Sequence, residues 1–269
     1  MQLGLSTYSF PWAIGIGGYE HDKMLSATDL VHIAKEAQVG YLQFGDNYPL
    51  HELSAEQLQS LKETATHGNI QIEVGTRGLH MENILKYLEI VNLFGANFLR
   101  VVVDTNDFEP DEDEIIHCIL ALLPQLQQYD VILAIENHDR FSAAALKKII
   151  RGTSDRYVGI CLDTANSYGN GEGYKDTVAV LAPYTVNLHL KDITIKRLPH
   201  KMGFTIQGCA AGAGVINIPW VVEEVRKYNR CRTATLEVWS SPTDSMEETL
   251  HKEKEWVQTS LHYLKNILT

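Results

Sequence analysis

No stretch of this 269-residue chain is apolar for long enough to cross a membrane, and Met1-Gln-Leu-Gly opens directly into a strand-like run. The expectation is a cytoplasmic protein with no membrane partner. Cysteine is sparse: Cys118, Cys161, Cys209 and Cys231 are the only four, and none shows C-x-x-C spacing. They read as buried free thiols. Basic residues are in deficit, with 23 Lys and Arg against 34 Asp and Glu, a net charge of −11. That balance argues against a phosphate backbone as partner, so no nucleic acid is expected. The glycines form neither a Walker nor a Rossmann fingerprint. No linker, composition break or close internal repeat divides the chain, so residues 1–269 read as one domain.

What is present is a regular alternation. Strand-like runs fall near 2–9, 41–46, 70–77, 98–104, 131–138, 158–164, 185–192 and 233–239. Helical runs follow them near 26–38, 54–67, 80–94, 111–129, 142–151, 174–182, 217–229 and 244–266. Ser54 and Gln57 form a capping-box pattern, and Gly95 sits where the third helix should stop. Eight strands each followed by a helix predict a single (β/α)8 TIM barrel, and the length suits one. Residues 193–215, punctuated by Gly203, Gly208, Gly212 and Gly214, read as a long irregular loop at the barrel mouth.

Four strand-like runs end in a metal-seeking residue: Glu136, Asp163, His189 and Glu237. The C-terminal ends of parallel barrel strands converge, so these four are expected to share one site. Three carboxylates and one imidazole suit one divalent ion, Mn²⁺ first, with Mg²⁺, Co²⁺ or Zn²⁺ as alternatives. Alternation along the strands puts Ala134, Cys161, Asn187 and Thr235 on the same inward faces. Val186, Leu188 and Leu190 would face the helices, while Gln71, Glu73, Gly75 and Arg77 would face inward, as would Gly4, Ser6 and Tyr8.

His138 and Lys191 lie two residues beyond two of the ligands, placed to position substrate hydroxyls or donate protons. Arg77 either neutralises a substrate oxygen or pairs with Glu73. Asn166 either caps the following segment or faces the site. Tyr8, Trp12 and Trp239 offer an apolar wall for a sugar. Lys196, Arg197, His200 and Lys201 form the main basic cluster, either a counter-charge for a sugar phosphate or a solvated loop. The Gly212-Ala-Gly214 turn ahead of Asn217 offers amides at a helix N-terminus.

The set Glu136-Asn-His, Leu162-Asp-Thr-Ala-Asn166, His189-Leu-Lys-Asp192, the Gly212/Gly214 turn and Leu236-Glu237 resembles the xylose isomerase-like superfamily of sugar isomerases and epimerases. The resemblance runs through nearly the whole chain in strand order. It implies that Glu136, Asp163, His189 and Glu237 are the ligands and that Glu136 and Glu237 move the proton. The chain departs from the ketose 3-epimerases at Asn166, where they carry a histidine, and at Ile195, where they carry an arginine. The resemblance implies a metal-dependent isomerase or epimerase of a sugar, keto-sugar or sugar phosphate acting through an enediolate. The alternative reading is a keto-inositol or keto-sugar dehydratase, and a third is a non-catalytic sugar-binding barrel. The expected partner is a small carbohydrate; a homo-oligomer is left open.

Overall fold

The computed structural model describes residues 1–269 apart from 20, 23 and 269. Eight parallel strands close into a barrel: β1 (Gln2–Ser6), β2 (Tyr41–Phe44), β3 (Gln71–Arg77), β4 (Phe98–Val102), β5 (Ile132–Glu136), β6 (Val158–Asp163), β7 (Thr185–Leu190) and β10 (Thr233–Leu236), with β10 pairing β1 to complete the ring. A helix follows each: α1 (Ala27–Glu36), α2 (Ala55–Gly68), α3 (Met81–Phe94), α4 (Glu112–Tyr129), α5 (Ala143–Arg151), α6 (Tyr174–Leu181), α7 (Ile218–Arg226) and α8 (Met246–Leu268). The expected (β/α)8 architecture is the observed one.

Local chemistry sets the helix ends. Ser54 accepts from the Gln57 amide and Gln57 returns the bond to Ser54, so the capping box forms. Ser26 with Asp29 and Asp111 with Glu114 repeat the device at α1 and α4. Gly95 ends α3 with φ 67°, a left-handed conformation that costs glycine little. The apolar strand faces and helix faces form one continuous core of side chains such as Leu5, Leu42, Val74, Leu99, Ile135, Leu162 and Leu236.

Two expectations need correction. Residues 193–215 are not an irregular loop throughout. Asp192–Arg197 and Phe204–Cys209 pair antiparallel as a hairpin, β8 and β9, outside the barrel ring. Ile193-Thr-Ile-Lys and Phe204-Thr-Ile-Gln alternate apolar and polar residues, which is a strand pattern. Val186 does not share a face with Leu188 and Leu190. The β6–β7 register jumps from Ile160↔Thr185 to Cys161↔Asn187, so Val186 is a bulged residue. It packs with Phe98, Ala134 and Cys161 in a small apolar cluster.

Candidate active site

The C-terminal strand ends carry the site. Glu136 closes β5, Asp163 closes β6, His189 is the penultimate residue of β7, and Glu237 follows β10 directly. All four side chains are at most 1 % exposed. His189 Nδ1 lies 3.3 Å from Glu237 Oε1, 3.5 Å from Glu136 Oε2 and 3.9 Å from Asp163 Oδ2. Donor atoms about 2.1 Å from a common ion stand roughly 3.0–3.4 Å apart. Glu237 and Glu136 come near that spacing from His189, and Asp163 lies farther out. Asp163, His189 and Glu237 form one group of ligand atoms within 4.8 Å of one another, and Glu136 groups with His189 and Cys161.

At the centre His189 Nδ1 is buried without a hydrogen-bond partner, and the buried Asp163 Oδ2 and Glu237 Oε2 have Lys191 Nζ alone against them. Burying such groups unsatisfied is costly, and a cation among them would relieve it. The lone pairs that face outward from the centre are spoken for. Asp163 Oδ1 accepts from the Ala165 and Asn166 amides, at 2.8 and 2.9 Å. Glu136 Oε1 accepts from Asn166 Nδ2 at 2.7 Å, and Glu237 Oε1 accepts from Ser6 Oγ at 3.0 Å. His189 Nε2 meets Gln43 Oε1 at 2.7 Å, which leaves Nδ1 for the centre. Asn137 fixes the β6 end by accepting from Asp163 N and donating to Asp163 O.

The residues expected to meet substrate divide by environment. Lys191 is buried, with Nζ 2.8 Å from Asp163 Oδ2, 2.9 Å from Glu237 Oε2 and 3.3 Å from Asn166 Oδ1. His138, Asn166, Lys191, Arg77, Tyr8 and Trp239 all line a cavity of about 340 Å³ that reaches Glu136 and Glu237. Asn166 therefore faces the site, while Asp163 holds its backbone. Arg77 does not pair with Glu73: its Nε donates to Asp46 Oδ2 at 2.7 Å. Glu73 lies deeper and accepts from Gln43. Trp12 is structural, buried with Nε1 donating to Ser240 O at 2.6 Å, and does not line the cavity.

The glycine turn's amides are taken up within the chain, and Lys196, Arg197, His200 and Lys201 do not line the cavity. Asp192 Oδ2 takes the Gly212 and Gly214 amides at 2.9 Å each, and Oδ1 takes that of Ile216. Arg197 lies over the Phe204 ring and donates to Lys201 O. The hairpin residue at the cavity is Ile206.

Sequence reasoning missed Arg100 and Asp46. Arg100 ion-pairs with Glu136 and, at 2.5 Å, with Asp46. Gly75 makes room for it, since a Cβ there would meet Arg100 Cδ at 3.0 Å. A charged side chain within the otherwise apolar run Phe98–Val103 was the available signal.

Charge shapes the proton affinities. Burial pushes the Glu136 carboxyl up, but Arg100, His189 and Lys191 outweigh it and hold it at about 2. Burial raises Asp163, with Lys191 opposing. Lys191 is held protonated well above its usual range: burial lowers it, but Asp163, Glu237 and Glu136 dominate. Asp46 is depressed by Arg100 and Arg77 despite its burial.

The profile of a family described as "Xylose isomerase-like TIM barrel" matches residues 31–267. A 3-oxo-isoapionate decarboxylase of Pectobacterium atrosepticum is 28% identical over 264 residues, 98% of this chain and 95% of the relative. Among solved structures, a D-psicose 3-epimerase determined in the presence of D-fructose superposes with TM-score 0.72 at 11% identity, covering 98% of this chain and 97% of that one. A xylose isomerase-like barrel from Mycobacterium smegmatis in complex with magnesium superposes with TM-score 0.68 at 15% identity, covering 98% and 97%.

Proposed function

We propose, from the premise that the chain belongs to the xylose isomerase-like TIM barrel family, that it is a divalent-metal-dependent isomerase or epimerase of a keto-sugar acting through an enediolate. The observation that carries this reading is the convergence of the buried Glu136, Asp163 and Glu237 carboxylates on His189 Nδ1, a ring nitrogen with no hydrogen-bond partner of its own. These four residues would hold the ion. When bound, it supplies Lewis-acid stabilisation to oxygens that gain charge beside a carbonyl.

The chain's own residues handle the proton. Glu237 has one oxygen tied to Ser6 and the other directed into the cavity near Lys191, so it is the better-placed base. Glu136 is its counterpart across the site. Lys191, charged and 2.9 Å from Glu237 Oε2, can return a proton or stabilise the developing oxyanion. His138, Asn166 and Arg77 line the cavity where substrate hydroxyls would lie. Trp239 offers an aromatic wall, with Lys191 Nζ 4.8 Å from its ring centroid.

A second reading has its own support. Arg100 pairs with Glu136 and holds it at about 2, which makes it a weak base. The full-length relative is a decarboxylase. Decarboxylation of a 3-oxo sugar acid reaches an enediolate without a base: the bond to the carboxylate breaks, carbon dioxide leaves, and the electron pair moves into the neighbouring carbonyl. A proton then adds to the carbon, and Lys191 is within the cavity to supply it.

One experiment separates the readings. The metal-loaded protein is incubated with keto-sugars and 3-oxo sugar acids in D2O. Solvent deuterium entering product at constant carbon count supports isomerase or epimerase chemistry. Release of carbon dioxide moves the assignment to decarboxylase, and loss of water to dehydratase. No exchange and no product from any of them contradicts an enzymatic reading of the site.

A further inference from the structure

Below the ligand set a buried hydrogen-bond chain runs from His189 to a carboxylate that no step above uses. His189 Nε2 meets Gln43 Oε1 at 2.7 Å. Gln43 Nε2 donates to Glu73 Oε2 and to Asn187 Oδ1, both at 3.1 Å. Asn187 Nδ2 donates to Thr233 and Thr235 hydroxyls at 2.8 and 3.3 Å, and its Oδ1 also accepts from Cys161 Sγ. Thr233 and Thr235 in turn hydrogen-bond Glu73. Gln43, Glu73, Asn187, Thr233 and Thr235 are all buried.

The direction of the bonds in this chain is set at Glu73, with Asn187 Oδ1 reinforcing it. Above the pH at which Glu73 ionises, its carboxylate only accepts, so Gln43 must turn its NH2 toward Glu73. Its carbonyl oxygen then faces His189, and His189 must carry its proton on Nε2. The bare Nδ1 is thereby aimed at Glu136, Asp163 and Glu237. An amide at position 73 could instead donate to a flipped Gln43, whose NH2 would face His189. The proton would then move to Nδ1 and the imidazole would be lost as a ligand.

We propose that Glu73, acting through Gln43, is a positioning residue that fixes the metal-binding tautomer of His189. The inference rests on the ligand reading above, but its test does not depend on metal or turnover. Nitrogen-15 NMR of the metal-free protein above neutral pH reads the tautomer directly, with His189 assigned by difference against His189→Gln. The expected wild-type pattern has the proton on Nε2. Glu73→Gln is expected to shift it toward Nδ1 and to weaken Mn²⁺ binding by about 10- to 100-fold, the usual range for outer-sphere partners of a ligating histidine. Glu73→Asp should restore the wild-type pattern. Gln43→Met tests the same link one bond nearer should Glu73→Gln fail to fold; its expected effect is a mixed tautomer and weaker Mn²⁺ binding. A wild-type tautomer and unchanged Mn²⁺ affinity in folded Glu73→Gln or Gln43→Met overturn the proposal. A wild type that binds no Mn²⁺ but shows the Nε2 proton, lost in Glu73→Gln, overturns the ligand reading and leaves the relay standing.

Discussion

Glu237 and Glu136 carry the same functional group in unequal settings, and the difference is testable. Glu237→Gln keeps an oxygen donor but removes the proton carrier, so turnover should fall about 10²–10⁴-fold in a steady-state assay. A loss below about tenfold would remove Glu237 from proton transfer. Arg100→Leu should destabilise the fold by about 3–5 kcal/mol in denaturant melts, because it strands Glu136 and weakens the hold on Asp46. The Glu136 carboxyl is depressed to about 2, so its stabilising contribution is complete above its unfolded pKa and is lost as pH falls toward 2. Arg100→Leu should reduce that acid-side slope. At this scale the meeting of Glu136, Asp163, His189 and Glu237 at one point was legible, because the C-terminal ends of four strands of one barrel converge. Arg100 was not. Its guanidinium reaches Glu136 and Asp46 from two other strand ends, and that meeting exists only after the ring closes.

The hairpin of β8 and β9 is the element that distinguishes the mouth. It rests on the segment after β10: a Cβ at Gly208 would lie 2.2 Å from Trp239 O. Gly208→Ala should therefore displace the hairpin and lower kcat/KM while leaving bound metal unchanged. Ile206 lines the cavity, whereas Lys196 and Arg197 do not. Ile206→Ser should raise KM; the double variant Lys196→Gln with Arg197→Gln should match wild type on an unphosphorylated sugar. A rise in KM in the double variant that is confined to phosphorylated substrates would restore the basic cluster as a recognition element. The eight helices and eight barrel strands were readable from periodicity and caps. The hairpin was harder to read, because its alternating Ile193-Thr-Ile-Lys and Phe204-Thr-Ile-Gln runs are largely exposed and stand outside the strand-helix repeat, and the bulge at Val186 depends on register with β6 rather than on composition.

For the whole molecule, two buried carboxyls oppose stability at high pH. Burial raises Glu73 and Glu253 to about 7, and Glu253 binds the Trp12 and Ala13 amides from α8. Between the unfolded and folded values the native state holds protons that the unfolded chain has released. Stability is therefore full below the unfolded pKa and declines as pH rises through about 7. Thermal melts from about pH 5 to pH 8 should show that decline, and Glu253→Gln should flatten part of it. Among the described residues no helix is long and apolar enough to cross a membrane. On the proposed function the closed barrel brings Glu136, Asp163, His189 and Glu237 into one divalent-cation centre. Isothermal titration of Mn²⁺ into metal-stripped protein tests it most directly. About one ion per chain is expected for wild type, since four ligands make one site, and no measurable binding for His189→Ala at the same fold stability. Full stoichiometry retained in His189→Ala, or no binding by wild type, would contradict it.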